Sequence, residues 1–313
     1  MKVLILTDAR KSGMREDEVD TLAQVKAVKK ALQLLGHTVM VEAFSLNLIL
    51  TARRIEKSGC DFVFNLVENL SSSRLLHLVP LLCQSLSIPC SGGGAYTLSI
   101  TGDKVVAKRQ LDLAGLPTPP WLEDGCDGSR FLGVPVMVKP IAQEASVGIG
   151  DASVRTFTDT DELTAYLREH PDYFAERYID GREFNLSVLP GGRVLPVCEM
   201  CFVDYPADKV KIVGYEAKWQ EQSFAYQHTQ RSYTFGREEQ GLIEELKRLA
   251  QAVYVLFGNS GYARVDVRVD QQNKPFILEM NSNPCIAADS GFIAAALQAG
   301  MTYCEVIEHL LRR

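Results

Sequence analysis

The stretch ARVDVRVD over residues 263–270 runs through the polar turn Gln271-Gln272-Asn273-Lys274 into FILEMNSNP over residues 276–284. Strand alternation puts Arg264 and Asp266 on one face of the first run and Val265 and Val267 on the other. The same rule delivers Glu279 and Asn281 to one face of the second run. A hairpin built this way gathers two carboxylates, an amide and a guanidinium. That set suits oxygen-seeking divalent cations holding phosphate, with an arginine beside the charge that develops. The other reading is a half-exposed hairpin whose polar face meets only water.

The elements that must carry such a hairpin are legible in outline. The first hundred residues alternate strand and helix: strands at 2–7, 39–44 and 61–66, and a helix at 20–35 with apolar residues at Leu22, Val25, Val28, Leu32 and Leu35, closed by Gly36. This βαβ pattern predicts a parallel sheet with helices on its faces. The turn 8–13 lacks the glycine pattern of a dinucleotide site. Gly92-Gly93-Gly94 predicts a tight turn before a helix, without the lysine and hydroxyl spacing of a P-loop. A helix at 103–114 stops at Gly115 and the proline cluster at 117–120, which reads as a linker. Strands follow at 134–139, 173–179, 183–189 and 193–202, then an amphipathic helix at 238–257, the hairpin, and closing helices at 289–299 and 303–311.

At 313 residues the chain has material for two or three domains, and 46% hydrophobic with 23% charged residues excludes disorder as its main state. A net charge of −6 argues against general binding to nucleic acid or to membrane surfaces. The apolar run Val3–Leu6 is too short for a signal-peptide core and no later run reaches a membrane span, so a cytoplasmic location is expected. Eight scattered cysteines form no disulfide framework, and Cys198 and Cys201, on a strand, would face opposite sides rather than share a metal.

Further residues join the hairpin in a fixed order. Lys104 lies on the helix after the glycine run, Lys139 ends an apolar strand before the loop ASVGIG at 145–150, and Glu176 to Glu183 surround a short strand end. Lys, Lys, glycine loop, Glu-x-x-Ile-x-x-x-Glu, Arg-x-Asp and Glu-x-Asn in this order resemble the ATP-grasp superfamily, and specifically the D-alanine–D-alanine ligases. The likeness runs from about Pro89 to the C-terminus and is strongest over 262–284.

The resemblance implies an α/β ATP-grasp fold behind a Rossmann-like parallel-sheet region, divided at 1–103, 104–190 and 191–313. It implies that Lys104 and Lys139 contact ATP phosphates, that Ser146 joins the nucleotide set, and that Glu176, Arg177, Ile179 and Glu183 hold adenine and ribose. Asp266, Glu279 and Asn281 would bind two Mg²⁺ ions, with Mn²⁺ as a substitute. Arg264 would stabilise a tetrahedral intermediate, Lys218 would sit near the γ-phosphate, Glu18 would grip an ammonium group, and Ser290 would hold the second amino acid's carboxylate. The implied reaction activates a carboxylate as an acyl phosphate and lets an amine attack it, under lids at 143–150 and 223–232 that exclude water. Small amino acids would be the substrates, and a homodimer is the family expectation.

The sequence departs from the family at the amino-acid sites. A Ser–Tyr–Glu triad is matched here by Ala145, Trp219 and Glu18, and neither alanine nor indole can play its part through the side chain. Cys285 replaces a glycine, and Phe64–Ser71, with Asn65 and Glu68, replaces a His-Gly segment. Altered amino-acid specificity is therefore expected, beside two alternatives: an authentic D-alanine–D-alanine ligase, and a protein of another class, either an ATP-grasp kinase or a non-catalytic nucleotide-binding regulator.

Overall fold

The computed structural model describes residues 1–9, 13, 15–122 and 127–312. Residues 10–12 of the first turn, where no dinucleotide site was expected, lie outside them. The apolar run that opens the chain becomes β1 (Lys2–Thr7), with Val3, Leu4, Ile5 and Leu6 almost wholly buried. Such a strand needs cover on both faces, and it gets it. It lies between β2 (Thr38–Ala43) and β3 (Phe62–Leu66), parallel to both. Helix α1 (Glu16–Leu34) covers one face through Val28, Ala31 and Leu32, while α2 (Leu48–Ser58), α3 (Leu78–Ser85) and α4 (Ala95–Thr101) cover the other through Ile55, Val79, Cys83 and Leu98. Helix α1 starts four residues before the predicted 20–35, because the acidic turn Glu16-Asp17-Glu18 suits the positive end of a helix.

Helix α5 (Lys104–Leu113) begins at Asp103, whose carboxylate accepts the amides of Val105 and Val106, so Lys104 is fixed as the first helical residue. A small antiparallel sheet follows: β4 (Pro135–Pro140) lies between β5 (Val154–Thr156) and β6 (Tyr173–Arg177), backed by α6 (Thr160–Glu169) through Leu163.

The third sheet has the order β10-β9-β7-β11-β12 and carries the hairpin. Its strands are β7 (Gly181–Leu189), β8 (Arg193–Val194), β9 (Cys198–Phe202), β10 (Thr229–Ser232), β11 (Ala263–Asp270) and β12 (Pro275–Asn281). The single strand predicted at 193–202 is broken, because Pro196 cannot donate to a ladder. Between β9 and β10 lie α7 (Tyr215–Trp219) and α8 (Phe224–His228), so the segment 223–232, expected as a lid, is a helical turn and an edge strand paired with β9. Helix α9 (Gln240–Leu256) packs Ile243, Leu246, Ala250 and Val253 against Val265, Val267 and Ile277. The last helices, α10 (Gly291–Gln298) and α11 (Tyr303–Leu310), return to the first sheet, where Phe292, Ile293, Val306 and Ile307 share the core of Val3, Ile5 and Leu32. Among the described residues, no helix is long and apolar enough to cross a membrane, and seven cysteines are free thiols.

The glycine run serves a close approach of backbones. Gly92 has φ +82° and faces Asn283, and Gly93 donates its N–H to Ser282 O at 2.7 Å. A Cβ on Gly261 would run into the Gly92 carbonyl. Gly261→Ala should therefore lower stability by about 1–3 kcal/mol through overpacking, read as a fall in the urea midpoint with the far-UV spectrum unchanged before unfolding.

Candidate active site

The hairpin register builds the centre of the site. Arg264 lies directly across from Asn281, and Asp266 directly across from Glu279, with a bulge just after Asp266. Arg264 makes a bidentate pair with Asp266, its Nε and Nη2 each 2.7 Å from a carboxylate oxygen. Asn185 on β7 donates to Asp266 Oδ1 at 2.9 Å, and the Asn281 amide donates to Asp266 at 3.3 Å and Glu279 at 3.4 Å. Lys104 reaches in from the start of α5, 3.3 Å from Glu279 Oε2, and donates to Gln143 O at 2.6 Å. Burial raises the Glu279 pKa, but Lys104, Lys139, Lys218 and Arg264 outweigh it and bring it down to about 2. Asp266 and Glu279 bring carboxylate oxygens of the kind a hard divalent cation takes, with the Asn281 amide N–H turned toward both.

Two cavities meet at this centre. The smaller, about 80 Å³, is lined by Lys139, Ser146, Glu176, Arg177, Ile179 and Glu279, among others. The larger, about 540 Å³, is lined by Asp20, Glu68, Glu144, Arg231, Arg264 and Ser290, among others. Both are lined by Glu183, Val213, Lys218 and Asp266, so they join across the hairpin. Lys218 is carried there by α7, and burial, followed by Arg264, lowers its pKa.

Several side chains assigned by resemblance are engaged differently. Glu176 is buried with both carboxylate oxygens ion-paired, Oε1 to Lys139 at 2.6 Å and Oε2 to Lys108 at 2.7 Å. Glu183 is held by Arg268, whose Nη2 lies 2.9 Å away; Arg268 also donates to the carbonyls of Ile179 and Lys211. Arg177 donates its backbone N–H to Pro120 O at 2.8 Å. Ser146 donates its hydroxyl to Val213 O at 3.0 Å, tying the glycine-bearing loop to the segment before α7. Ala145 and Ser146 take left-handed backbone conformations, φ +57° and +59°, in the turn of this loop.

Glu18, which the resemblance makes an ammonium ligand, sits at the start of α1. Its carboxylate accepts the Arg15 N–H at 3.0 Å, and Glu18 is not among the residues lining the cavity. Helical spacing explains this: Asp17, Asp20 and Gln24 share the inward face, and Glu18 is turned about 100° from Asp17. Asp17 and Asp20 line the cavity instead. Asp17 is paired with Arg15 and accepts the Tyr215 hydroxyl at 3.1 Å. Tyr215 also donates to Glu16 at 2.9 Å, and Trp219 donates its indole N–H to Ala145 O at 2.9 Å. Helix α7 is thus fastened to both α1 and the loop; two of the triad positions, Trp219 and Ala145, are joined through an indole N–H and a backbone carbonyl, and Tyr215 makes the tie to α1.

At the far end of the cavity Gln24, fully buried, donates to Glu68 at 3.0 Å and Asp20 at 3.3 Å and accepts the Ile286 N–H at 2.9 Å. Cys285 donates its thiol to Asp20 at 3.1 Å; burial, then Glu68 and Asp20, raise its pKa well above the ordinary thiol value, so it is protonated and poorly nucleophilic. Burial likewise pushes Glu68 up to about 8. Ser290 caps α10, accepting the Ile293 N–H at 3.3 Å, and Arg231 reaches the neighbouring Asp289 carbonyl at 2.8 Å.

Sequence reasoning missed Arg268, Lys108, Glu144 and Arg231. Alternation from Arg264 and Asp266 already puts Arg268 on the same face, and Lys108 is one helical turn beyond Lys104. Glu144 and Arg231 carried no comparable signal.

Similarity to known proteins converges on this arrangement. Residues 126–312 match the family model described as D-ala D-ala ligase C-terminus. A D-alanine–D-alanine ligase of Synechococcus sp. (strain JA-2-3B'a(2-13)) is 31% identical over 92% of this chain and 86% of its own length. One from Methylococcus capsulatus is 31% identical over 96% of this chain and 92% of its own. The crystal structure of D-alanine–D-alanine ligase from Bacillus anthracis complexed with ATP superposes with a TM-score of 0.75, covering 99% of this chain and 96% of the other at 22% identity, which establishes the shared fold. With its family model, its relatives and its fold in agreement, this chain belongs to the D-alanine–D-alanine ligase family of ATP-grasp proteins.

Proposed function

We propose that this protein is an ATP-dependent ligase that joins small amino acids through an acyl-phosphate intermediate, with a specificity that differs from joining two D-alanines. The observation that supports it most is the meeting of the two cavities at Lys218 and Asp266, between Lys139 and Glu279 on one side and Arg264 and Ser290 on the other. Nucleotide in the smaller cavity would present its terminal phosphate at that junction to a carboxylate in the larger one.

Asp266, Glu279 and Asn281 would hold magnesium. Bound there, the metal neutralises phosphate charge during phosphoryl transfer. The chain's own groups do the rest. Lys104, Lys139 and Lys218 would bind the phosphates and Ser146 would fix the loop above them. Arg264, which lines the larger cavity and is held by Asp266, would meet the oxyanion formed when the amine attacks. Ser290 and the amides opening α10 would take the acceptor carboxylate. In this reading the ammonium role passes from Glu18 to Asp20, which lines the cavity and is hydrogen-bonded to the neutral Gln24 and Cys285. The carboxylate of Glu183 would turn to ribose only by sharing it with Arg268. The boundaries near residues 103 and 190 and a homodimer belong to the same reading.

Altered specificity is supported by the cavity end formed by Asp20, Glu68, Asn65 and Cys285, polar groups that stand where the family carries its own motif. A substrate that left them unpaired would bind poorly.

Arg264→Ala and Glu279→Gln should each lower turnover by at least about 100-fold while the thermal midpoint shows a folded protein; near-normal turnover by either variant would refute the assigned site. A panel of D- and L-amino acids, followed by phosphate release and product mass, should yield an amide and a pair preferred over two D-alanines. Efficient D-alanyl-D-alanine formation with no better pair would sink the altered specificity, and a phosphorylated product without an amide would identify a kinase.

A further inference from the structure

Lys108 is a buried cation with no place in the mechanism so far. It does not line the nucleotide cavity, and its side chain is 1% exposed. Its ammonium is 2.7 Å from Glu176 Oε2, donates to Thr118 Oγ1 at 2.7 Å, and lies 5.5 Å from the centre of the Trp121 ring. Thr118 in turn donates to Ile277 O at 2.9 Å, fastening the arrangement to β12, the strand of Glu279. Across Glu176 stands Lys139, 2.6 Å from Oε1, with its side chain 7% exposed.

The electrostatic consequence depends on counting charges. Lys139 and Glu176 alone form a neutral buried pair, which attracts a phosphate only through its dipole. Two lysines around one carboxylate leave the cluster with one net positive charge. Placing a second ammonium out of water is costly, and burial lowers the Lys108 pKa to about 8, against the pull of Glu176. Packing alone gives no reason to bear that cost, since an apolar side chain of similar length would fill the same space.

We infer that Lys108 is a positioning residue that occupies half of the Glu176 carboxylate and so leaves the charge of Lys139 available to the phosphates of ATP. The inference rests on the reading that Lys139 faces those phosphates. It makes the Lys108–Glu176–Lys139 row a unit whose net charge, rather than any one contact, sets affinity for polyphosphate over nucleoside.

Calorimetric titration of ATP and adenosine tests it with Lys108→Met, Lys139→Met and the double variant Lys108→Met/Glu176→Gln. Lys108→Met should weaken ATP by about tenfold, as removal of one charge in a partly screened interior implies, and leave adenosine within about twofold. The double variant, which restores one net positive charge, should recover ATP affinity to within about threefold of the starting protein. Equal loss of ATP and adenosine, or a double variant no better than Lys108→Met, would mean that Lys108 only supports the fold. Lys139→Met weakening ATP while Lys108→Met does not would overturn the inference and leave the nucleotide reading standing. No effect of Lys139→Met would overturn both. If Lys108→Met does not fold, Lys108→Gln, which keeps a polar head for Thr118, is judged by the same outcomes.

Discussion

A lysine or carboxylate taken out of water costs several kcal/mol unless an opposite charge meets it, and the centre of this protein is arranged around that constraint. Lys104 leans on Glu279, Lys139 and Lys108 share Glu176, Arg264 clamps Asp266, and Arg268 holds Glu183. All but the Arg264–Asp266 pair, which lies within β11, join elements far apart in sequence: α5 to β12, α5 and β4 to β6, β7 to β11. Through Lys104 and Lys108, helix α5 is tied by charge to both the third and the second sheet. A ligand entering here exchanges partners with groups that are already aimed, and little side-chain ordering remains to be done.

The same constraint shapes the amino-acid end differently. There Asp20 and Glu68 have neutral partners, Gln24 and Cys285, and burial pushes both carboxylates up. Carboxylates whose hydrogen-bond partners are neutral are suited to a substrate that brings a cation. Helix α7 closes this end through Tyr215 and Trp219, which bond to α1 and to the loop carbonyl of Ala145. Loss of the family's Ser–Tyr–Glu arrangement is thus met by another set of hydrogen bonds that joins the same three segments.

Much of this was legible in the chain. Alternation in ARVDVRVD and over Glu279–Asn281 told which side chains share a face, because a strand's period of two holds there, whereas the bulge beside Asp266 moves Ile277 to the apolar face with Val267. The apolar run Val3–Leu6 required a covered parallel strand, and the order of lysines, glycine loop and acids carried the family. Glu18 was less legible. Each helical residue is a 100° turn, so Asp17 and Asp20, one before and two after it, line the cavity while Glu18 accepts the Arg15 N–H. The segment 223–232 was less legible for another reason: its pairing with β9 is a long-range choice that local composition does not record.

By itself the sequence determined the local periods, the hairpin's polar face and the chemical types available, because these follow from backbone geometry and side-chain inventory. Only tertiary structure decided who pairs with whom. That Glu176 lies between Lys139 and Lys108, that Arg268 takes Glu183, and that α10 and α11 return to complete the core of the first sheet all depend on contacts between residues remote in the chain. Such contacts are selected by the joint cost of burying charge and leaving apolar faces wet, a sum over the whole molecule that no single stretch of sequence contains.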